Sequence, residues 1–215
     1  TSNATSPAPN DWLHLTISTS GSQGASIIKY CIVEYGGQGS PSINNTAIGI
    51  YGNLDTCSYN TVRYNYVSGI GTWGGSTIIS FNLIHDNDTR FRVGGGIYTQ
   101  NGAPKVYNNT IVNNDFSGIY TQSNKGEIYN NIIVGNTTSG IKFSSSSSTE
   151  LKVDYNNVED NDLNYDGIDA GSNDLSVDPL FVDDGYELTM SSSCIDAGDP
   201  NSAKDPDGSR SDLGA

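Results

Sequence analysis

The chain's 215 residues carry a formal net charge of −14 with only 10 Lys and Arg, and 34% of them are hydrophobic, beside 25 Gly and 13 Tyr. That balance offers no basic stripe to phosphates, which excludes nucleic acid as the expected partner, and a polyanionic sugar would be repelled unless cations or a local basic patch intervened. No apolar run is long enough for membrane insertion, and the length suits one elongated domain rather than two compact ones.

Residues 1–10, with Pro7 and Pro9, read as a linker, and Trp12 to Ile17 alternate as a strand of an incomplete first coil. Residues 1–24 are thus expected to be a linker plus partial coil, with earlier coils or a cap upstream and further domains in a larger parent chain. A repeat then occupies residues 25–162. Gly96-Ile97-Tyr98-Thr99-Gln100 returns 22 residues later as Gly118-Ile119-Tyr120-Thr121-Gln122, and again as Gly140-Ile141-Lys142-Phe143. Between these, Val106-Tyr107-Asn108-Asn109-Thr110-Ile111-Val112 recurs as Ile128-Tyr129-Asn130-Asn131-Ile132-Ile133-Val134. Two strand patterns sharing one period in the low twenties, with no helical spacing, predict an all-β solenoid whose coils bury a core by stacking.

The Asn-Asn strand has counterparts starting at Ile28, Val62, Ile79 and Val153, so one column is predicted to read Cys31, Asn65, Asn82, Asn109, Asn131, Asn156. Stacked about 4.8 Å apart, these amides would form an Asn ladder at a tight bend. With this alignment residues 25–162 resemble the right-handed parallel β-helix superfamily, the pectate-lyase-like fold. The resemblance implies coils of three strands and three corners, the ladder between the second and third strands, Gly-Ile-Tyr segments as first strands, and a binding cleft at the corner leading into them. The chain is also similar to the β-helix part of archaeal disaggregatase-type surface polysaccharide enzymes.

Spacing distinguishes the corners. From ladder residue to the next opening glycine the count is 18 from Cys31 to Gly49, 4 from Asn65 to Gly69, 14 from Asn82 to Gly96, then 9 twice. A short corner at Tyr66-Val67-Ser68 between two long loops, Glu34–Ile48 and Leu83–Gly95, predicts a pocket. If Ile50, Ile70, Ile97, Ile119 and Ile141 point inward, its floor is Tyr51, Gly71, Tyr98, Tyr120 and Lys142, then Asn53, Trp73, Gln100, Gln122 and Ser144. Tyr51, Trp73, Tyr98, Gln100, Tyr120 and Gln122 are the candidate substrate-binding residues, since flat rings pack on pyranose faces and amides bond hydroxyls.

The densest ionisable cluster, His85, Asp86, Asp88, Arg90 and Arg92, sits on one predicted wall, with Glu34 on the other, two coils or roughly 10 Å away. Pairs among Glu34, Asp86 and Asp88 would suit glycoside hydrolysis. Arg90, Arg92 and His85 would suit elimination from a uronate. The combined polygalacturonase pattern of Asn-Thr-Asp, Asp-Asp and His-Gly motifs is absent, as is a pectate-lyase calcium triplet with its arginine.

Ser144 to Thr149 lengthen one corner. Beyond residue 162 the period fades into Asp-Gly-Asn turns, and residues 163–215 are expected to close the last coil. Asp205, Asp207 and Asp212 offer hard oxygens to Ca²⁺, although no cofactor is required. Cys31, Cys57 and Cys194 cannot all pair, and Cys31 reads as a buried small side chain. Asn-x-Ser/Thr sequons begin at Asn3, Asn44, Asn87, Asn108 and Asn136. The reading is an extracellular or cell-surface β-helix that cleaves polysaccharide, as hydrolase or lyase, or else binds glycans or spaces other domains without catalysis.

Overall fold

The structure, a computed structural model, describes residues 6–8, 11–18, 25–37, 46–53, 55–88, 94–145, 150–183 and 185–215. Its strands form three sheets that the chain visits in rotation. The first sheet stacks β1 (Leu15–Ser18), β4 (Thr46–Tyr51), β7 (Ser68–Trp73), β10 (Gly95–Gln100), β13 (Ser117–Thr121), β16 (Ser139–Phe143) and β19 (Leu163–Asp166). The second stacks β2 (Ile27–Lys29), β5 (Thr56–Ser58), β8 (Ile78–Ser80), β11 (Lys105–Tyr107), β14 (Lys125–Tyr129) and β17 (Glu150–Asp154). The third stacks β3 (Ile32–Glu34), β6 (Thr61–Arg63), β9 (Leu83–His85), β12 (Thr110–Val112), β15 (Ile132–Val134) and β18 (Asn157–Glu159). Each strand pairs in parallel with the one three places on, for example Ile97↔Ile119, Val106↔Ile128 and Ile111↔Ile133.

Strands this short bury few side chains each, so the core is a set of columns rather than a ball. Val62, Ile84, Ile111, Ile133 and Val158 line the third sheet, Cys57, Ile79, Val106 and Ile128 the second, and Ile48, Ile70, Ile97, Ile119 and Ile141 the first. Each is at most 2% exposed, and full burial of such a side chain contributes roughly 1.5–3 kcal/mol. The glycine before four of these first-sheet isoleucines, Ile70, Ile97, Ile119 and Ile141, faces this core. A Cβ at Gly96, Gly118 or Gly140 would lie 2.6, 2.4 and 2.3 Å from a γ-carbon of Ile111, Ile133 and Val158, closer than carbon atoms pack. Close approach of two sheets therefore dictates the Gly-Ile repeat.

Two corners of each coil share one device, a left-handed residue followed by asparagine. At the first corner Tyr30, Tyr59, Phe81, Asn108, Asn130 and Tyr155 have φ between 49 and 58°. The next residues form the ladder Asn60, Asn82, Asn109, Asn131 and Asn156. Each Nδ2 donates to the following Oδ1 at 2.9 Å along this run. At the second corner Tyr64, Asp86, Asn113 and Asp160 are left-handed, and Asn65, Asn87, Asn114, Asn136 and Asn161 form a second ladder at 2.9–3.1 Å.

Four expectations are corrected here. Asn65 belongs to the second ladder, and Asn60 fills its expected place, because Val62 pairs with Ile84 rather than with the second sheet. The corner after β6 is consequently ordinary in length, its Asn60-to-Gly69 step matching Asn109 to Gly118. In the first sheet Ile48, not Ile50, pairs with Ile70. This slip of two residues preserves which side chains face the core, so the hydrophobic pattern alone could not detect it. Cys31, at the outer end of its column, is exposed, while Cys57 and Cys194 are buried; all three are free thiols.

Beyond β19 the chain first meets the end of the solenoid, where Asp174 Oδ1 terminates the first ladder by accepting from Asn156 N and Nδ2. It then turns back along the outside of the third sheet as an arm. A second apolar cluster joins Cys194 and Leu213 of the arm to Ile132, with Val134, Phe181 and Leu188 around it. Asn108 Nδ2 donates to Ser211 Oγ and to the carbonyl of Asp212, and the N–H of Ala215 donates to Thr110 Oγ1. The segment thus runs down the flank of the coils as well as over the last one.

Candidate functional site

The outer face of the first sheet carries the expected aromatic and amide residues, in a revised register. Tyr51 falls in the column of Trp73, and the two rings stack at 4.5 Å with an interplanar angle of 8°. Glycine makes the room: a Cβ on Gly71 would sit 2.6 Å from the Trp73 indole. Trp73 meets Tyr98 at 5.8 Å, and Tyr98 meets Tyr120 at 5.5 Å, both tilted. Gln122 ties the row together, accepting from Tyr98 Oη (3.0 Å) and Gln100 Nε2 (2.9 Å) and donating to Tyr120 Oη (2.9 Å). Tyr51, Trp73, Gln100, Tyr120 and Gln122 are partly exposed, whereas Tyr98 is buried, and that burial, with Tyr120 beside it, raises its phenol above the ordinary range. The buried Trp73 indole N–H finds no acceptor among the described residues. Lys142 and Asp166 close the row with an ion pair.

The candidate catalytic groups lie elsewhere. Glu34 and His85 share an outward column of the third sheet, with Arg63 between them. Glu34 accepts from Arg63 Nε at 3.1 Å, and the Arg63 guanidinium lies 5.2 Å over the Tyr64 ring. His85 Nδ1 meets Asp86 Oδ2 at 2.7 Å, and its imidazole, only 4% exposed, packs against Tyr64 and, at 5.1 Å, Tyr186 of the arm. Asp88 stands at the surface past the second ladder, its N–H bonded to the Asn65 carbonyl. Partial desolvation, then Asp115, raise its carboxyl above the ordinary value. Arg90 and Arg92 lie outside the described residues, as do 38–45 and 89–93 of the two long loops. The fold therefore brings Glu34, Arg63, His85 and Asp86 together on and beside the third sheet, and not over the Tyr–Trp row.

Asp205, Asp207 and Asp212 are engaged as turn acceptors. Asp205 Oδ2 takes the Asp212 N–H, Asp207 Oδ1 takes Ser209 N and Oγ, and Asp212 Oδ1 takes the Asp196 N–H. Among the described residues no group of three His, Cys, Asp or Glu is arranged to hold a metal ion, so the expected Ca²⁺ trio does not form.

A family model described as a right handed beta helix region matches residues 15–193. The chain belongs to the right-handed β-helix family. Comparison with curated proteins and with solved structures returns no match, which leaves the likeness to disaggregatase-type enzymes unsupported.

This β-helix has a further concavity that the repeat did not announce, a groove of about 950 Å³ on the second sheet. One wall is the sheet and first corner, with Tyr59, Phe81, Tyr107 and Tyr129; the other is the arm, with Asn201, Ser202 and Lys204. Tyr59 and Phe81 stack at 4.9 Å, Phe81 meets Tyr107 edge-on at 5.9 Å, and Tyr107 stacks on Tyr129 at 5.0 Å. Burial, with Tyr107, Glu127 and Asp199 nearby, pushes the Tyr129 phenol up to about 12. The available signal was the phase of Tyr107 and Tyr129, both one residue before an Asn-Asn pair. What made the groove was invisible: an arm more than seventy residues further along the chain.

Proposed function

We propose that this β-helix is a non-catalytic polysaccharide-binding module working outside the cell or at its surface, among other domains of a larger chain, and that its first-sheet face meets extended sugar chains. One observation carries the reading. Tyr51, Trp73, Tyr120, Gln100 and Gln122 form a continuous partly exposed row along the solenoid, while Glu34 and Asp86, two of the three candidate carboxylates, are paired with Arg63 and His85 on and beside another sheet. Aromatic carbon beside amide donors and acceptors suits pyranose rings and their hydroxyls. The net charge of −14 favours uncharged over polyanionic chains.

Affinity electrophoresis through gels holding neutral or uronic-acid polysaccharides tests this. Retardation by a neutral polysaccharide that Trp73→Ala weakens is expected, and unchanged mobility in every gel would overturn it. A second reading, hydrolase or lyase, is favoured by Asp88, which stands at the surface with its carboxyl raised by partial desolvation and by Asp115, the direction that suits a general acid. New reducing ends, or ultraviolet absorbance from unsaturated products, with loss in Asp88→Asn, would establish it in place of the first.

A further inference from the structure

The groove on the second sheet has a construction that the core does not explain. Along the first corner, the left-handed position is aromatic at Tyr59 and Phe81 but asparagine at Asn108 and Asn130. In those two coils the asparagines grip the arm: Asn108 Nδ2 reaches Ser211 and Asp212, while Asn130 accepts from the Asp199 N–H at 2.7 Å and donates to Ser202 Oγ at 3.2 Å. The aromatic residue in the same coils moves one position earlier, to Tyr107 and Tyr129, so the row Tyr59–Phe81–Tyr107–Tyr129 remains unbroken across four coils. Asparagine at the corner holds one wall of the groove and tyrosine beside it supplies the other.

The row advances by one aromatic per coil, about 4.8 Å, close to the length of one pyranose unit in an extended glycan. Opposite it the arm offers the short polar side chains Asn201 and Ser202. Of the cations beside the groove, Lys105 and Lys152 pair with Glu127 at 2.8 and 3.7 Å, and Lys204 lies on the arm. Asp154, Asp199 and Asp205 add carboxylates to the lining, which hydrogen-bond hydroxyls well and repel polyanions.

We infer that this groove is a second binding site, distinct from the first-sheet face, and that it takes a neutral glycan chain lying parallel to the solenoid axis. It shares the polysaccharide reading of the first-sheet face but stands on separate residues.

The test is calorimetric titration of the whole protein with neutral β-linked gluco-, manno- and xylo-hexasaccharides and, for contrast, with an oligogalacturonate. Three variants are compared: Ala203→Trp, which fills the groove from the exposed arm, Tyr129→Ala, and Trp73→Ala. Circular dichroism and melting confirm that each is folded. A neutral hexasaccharide should bind the wild type, weaken by at least about tenfold in Ala203→Trp, and keep the groove component of its binding in Trp73→Ala. Wild-type affinity in both Ala203→Trp and Tyr129→Ala would overturn the groove, and loss in Trp73→Ala alone would then leave the first-sheet reading standing. Binding of oligogalacturonate only would overturn the neutral class. Silence of the wild type toward every sugar would overturn both sites.

Discussion

The backbone N–H of Asp199 donates to Asn130 Oδ1 at 2.7 Å, joining residues 69 positions apart in sequence. Asn130 is at the same time a left-handed corner residue, with φ 56°, and the immediate predecessor of Asn131 in the first ladder. The same corner geometry that turns the chain between the second and third sheets thus aims a side-chain amide outward, where the arm can be fastened. Asn108 does the same one coil earlier with Ser211 and Asp212.

Asn130→Gly should release this part of the arm without straining the corner, because glycine adopts positive φ freely. The side-chain bonds to Asp199 and Ser202 are lost, with the longer one from Nδ2 to Asn108 Oδ1. Limited proteolysis is expected to cut within residues 199–206 faster than in the wild type, while the coils stay intact and melt within a few degrees of it. A protease-resistant arm in this variant would show that the apolar cluster around Cys194 and Leu213 suffices to hold it.

Within the coils the asparagines matter differently. Asn109 is 0% exposed, and its Nδ2 serves Ile79 O, Tyr107 O and Asn131 Oδ1 while its own Oδ1 accepts from Asn82. Asn109→Ala leaves several buried groups unpaired, so a loss of about 1–3 kcal/mol or more is expected in denaturant titration. Asn65→Ala should cost a similar amount, because Asn65 serves Val33 O, Arg63 O and Asn87 Oδ1 in the second ladder. If Asn65→Ala were neutral, the second ladder would be ornamental.

The period, the Gly-Ile columns and the first ladder were legible in the sequence because residues of one column repeat at one spacing. The second ladder was not, since both corners use a left-handed residue followed by asparagine, and Asn60 and Asn65, five residues apart, compete for one place. Hydrophobic pattern could not decide between Ile48 and Ile50 either, as both point inward. The aromatic row was legible as outward-facing, but not that Tyr98 would be enclosed. The positions of Glu34, His85 and Asp86 away from that row followed from which sheet each strand joins, and the groove from where the arm lies; neither leaves a periodic trace.

Gly118→Ala probes the close approach of first and third sheets. The new methyl would sit 2.4 Å from Ile133 Cγ2 and 2.9 Å from both Asn136 Nδ2 and the Gly140 carbonyl. Neither the backbone nor the ladder can retreat cheaply, so overpacking should cost about 1–3 kcal/mol. Ala47, which follows Thr46 as Gly69 follows Ser68 in the paired strand, already carries a methyl there, and Ala47→Gly should cost no more than about 1 kcal/mol. Comparable losses in both variants would mean that chain entropy, not contact, selects glycine in this column.

Two carboxylates should respond to pH with opposite sign. Desolvation, then Asp115, raise Asp88 above its ordinary value, so the folded state binds its proton more tightly than the unfolded chain does. Stability from this group is therefore greatest at acid pH and falls as pH rises from the ordinary carboxylate value through the raised one. Asp88→Asn should melt slightly higher than wild type at pH 7 and equally at pH 3. Glu127 is the reverse case: the hydrogen bond from Lys105, opposed by some desolvation and supported by Lys152, lowers it. Its contribution is present above the ordinary value and is lost as pH falls through the lowered one. Glu127→Gln should thus melt lower at pH 7, by a small amount because the ion pair is solvent-facing, and match wild type near pH 3. Added salt should shrink the Glu127 difference, and a pH 7 shift of the same sign in the two variants would show that at least one of the two assignments is wrong.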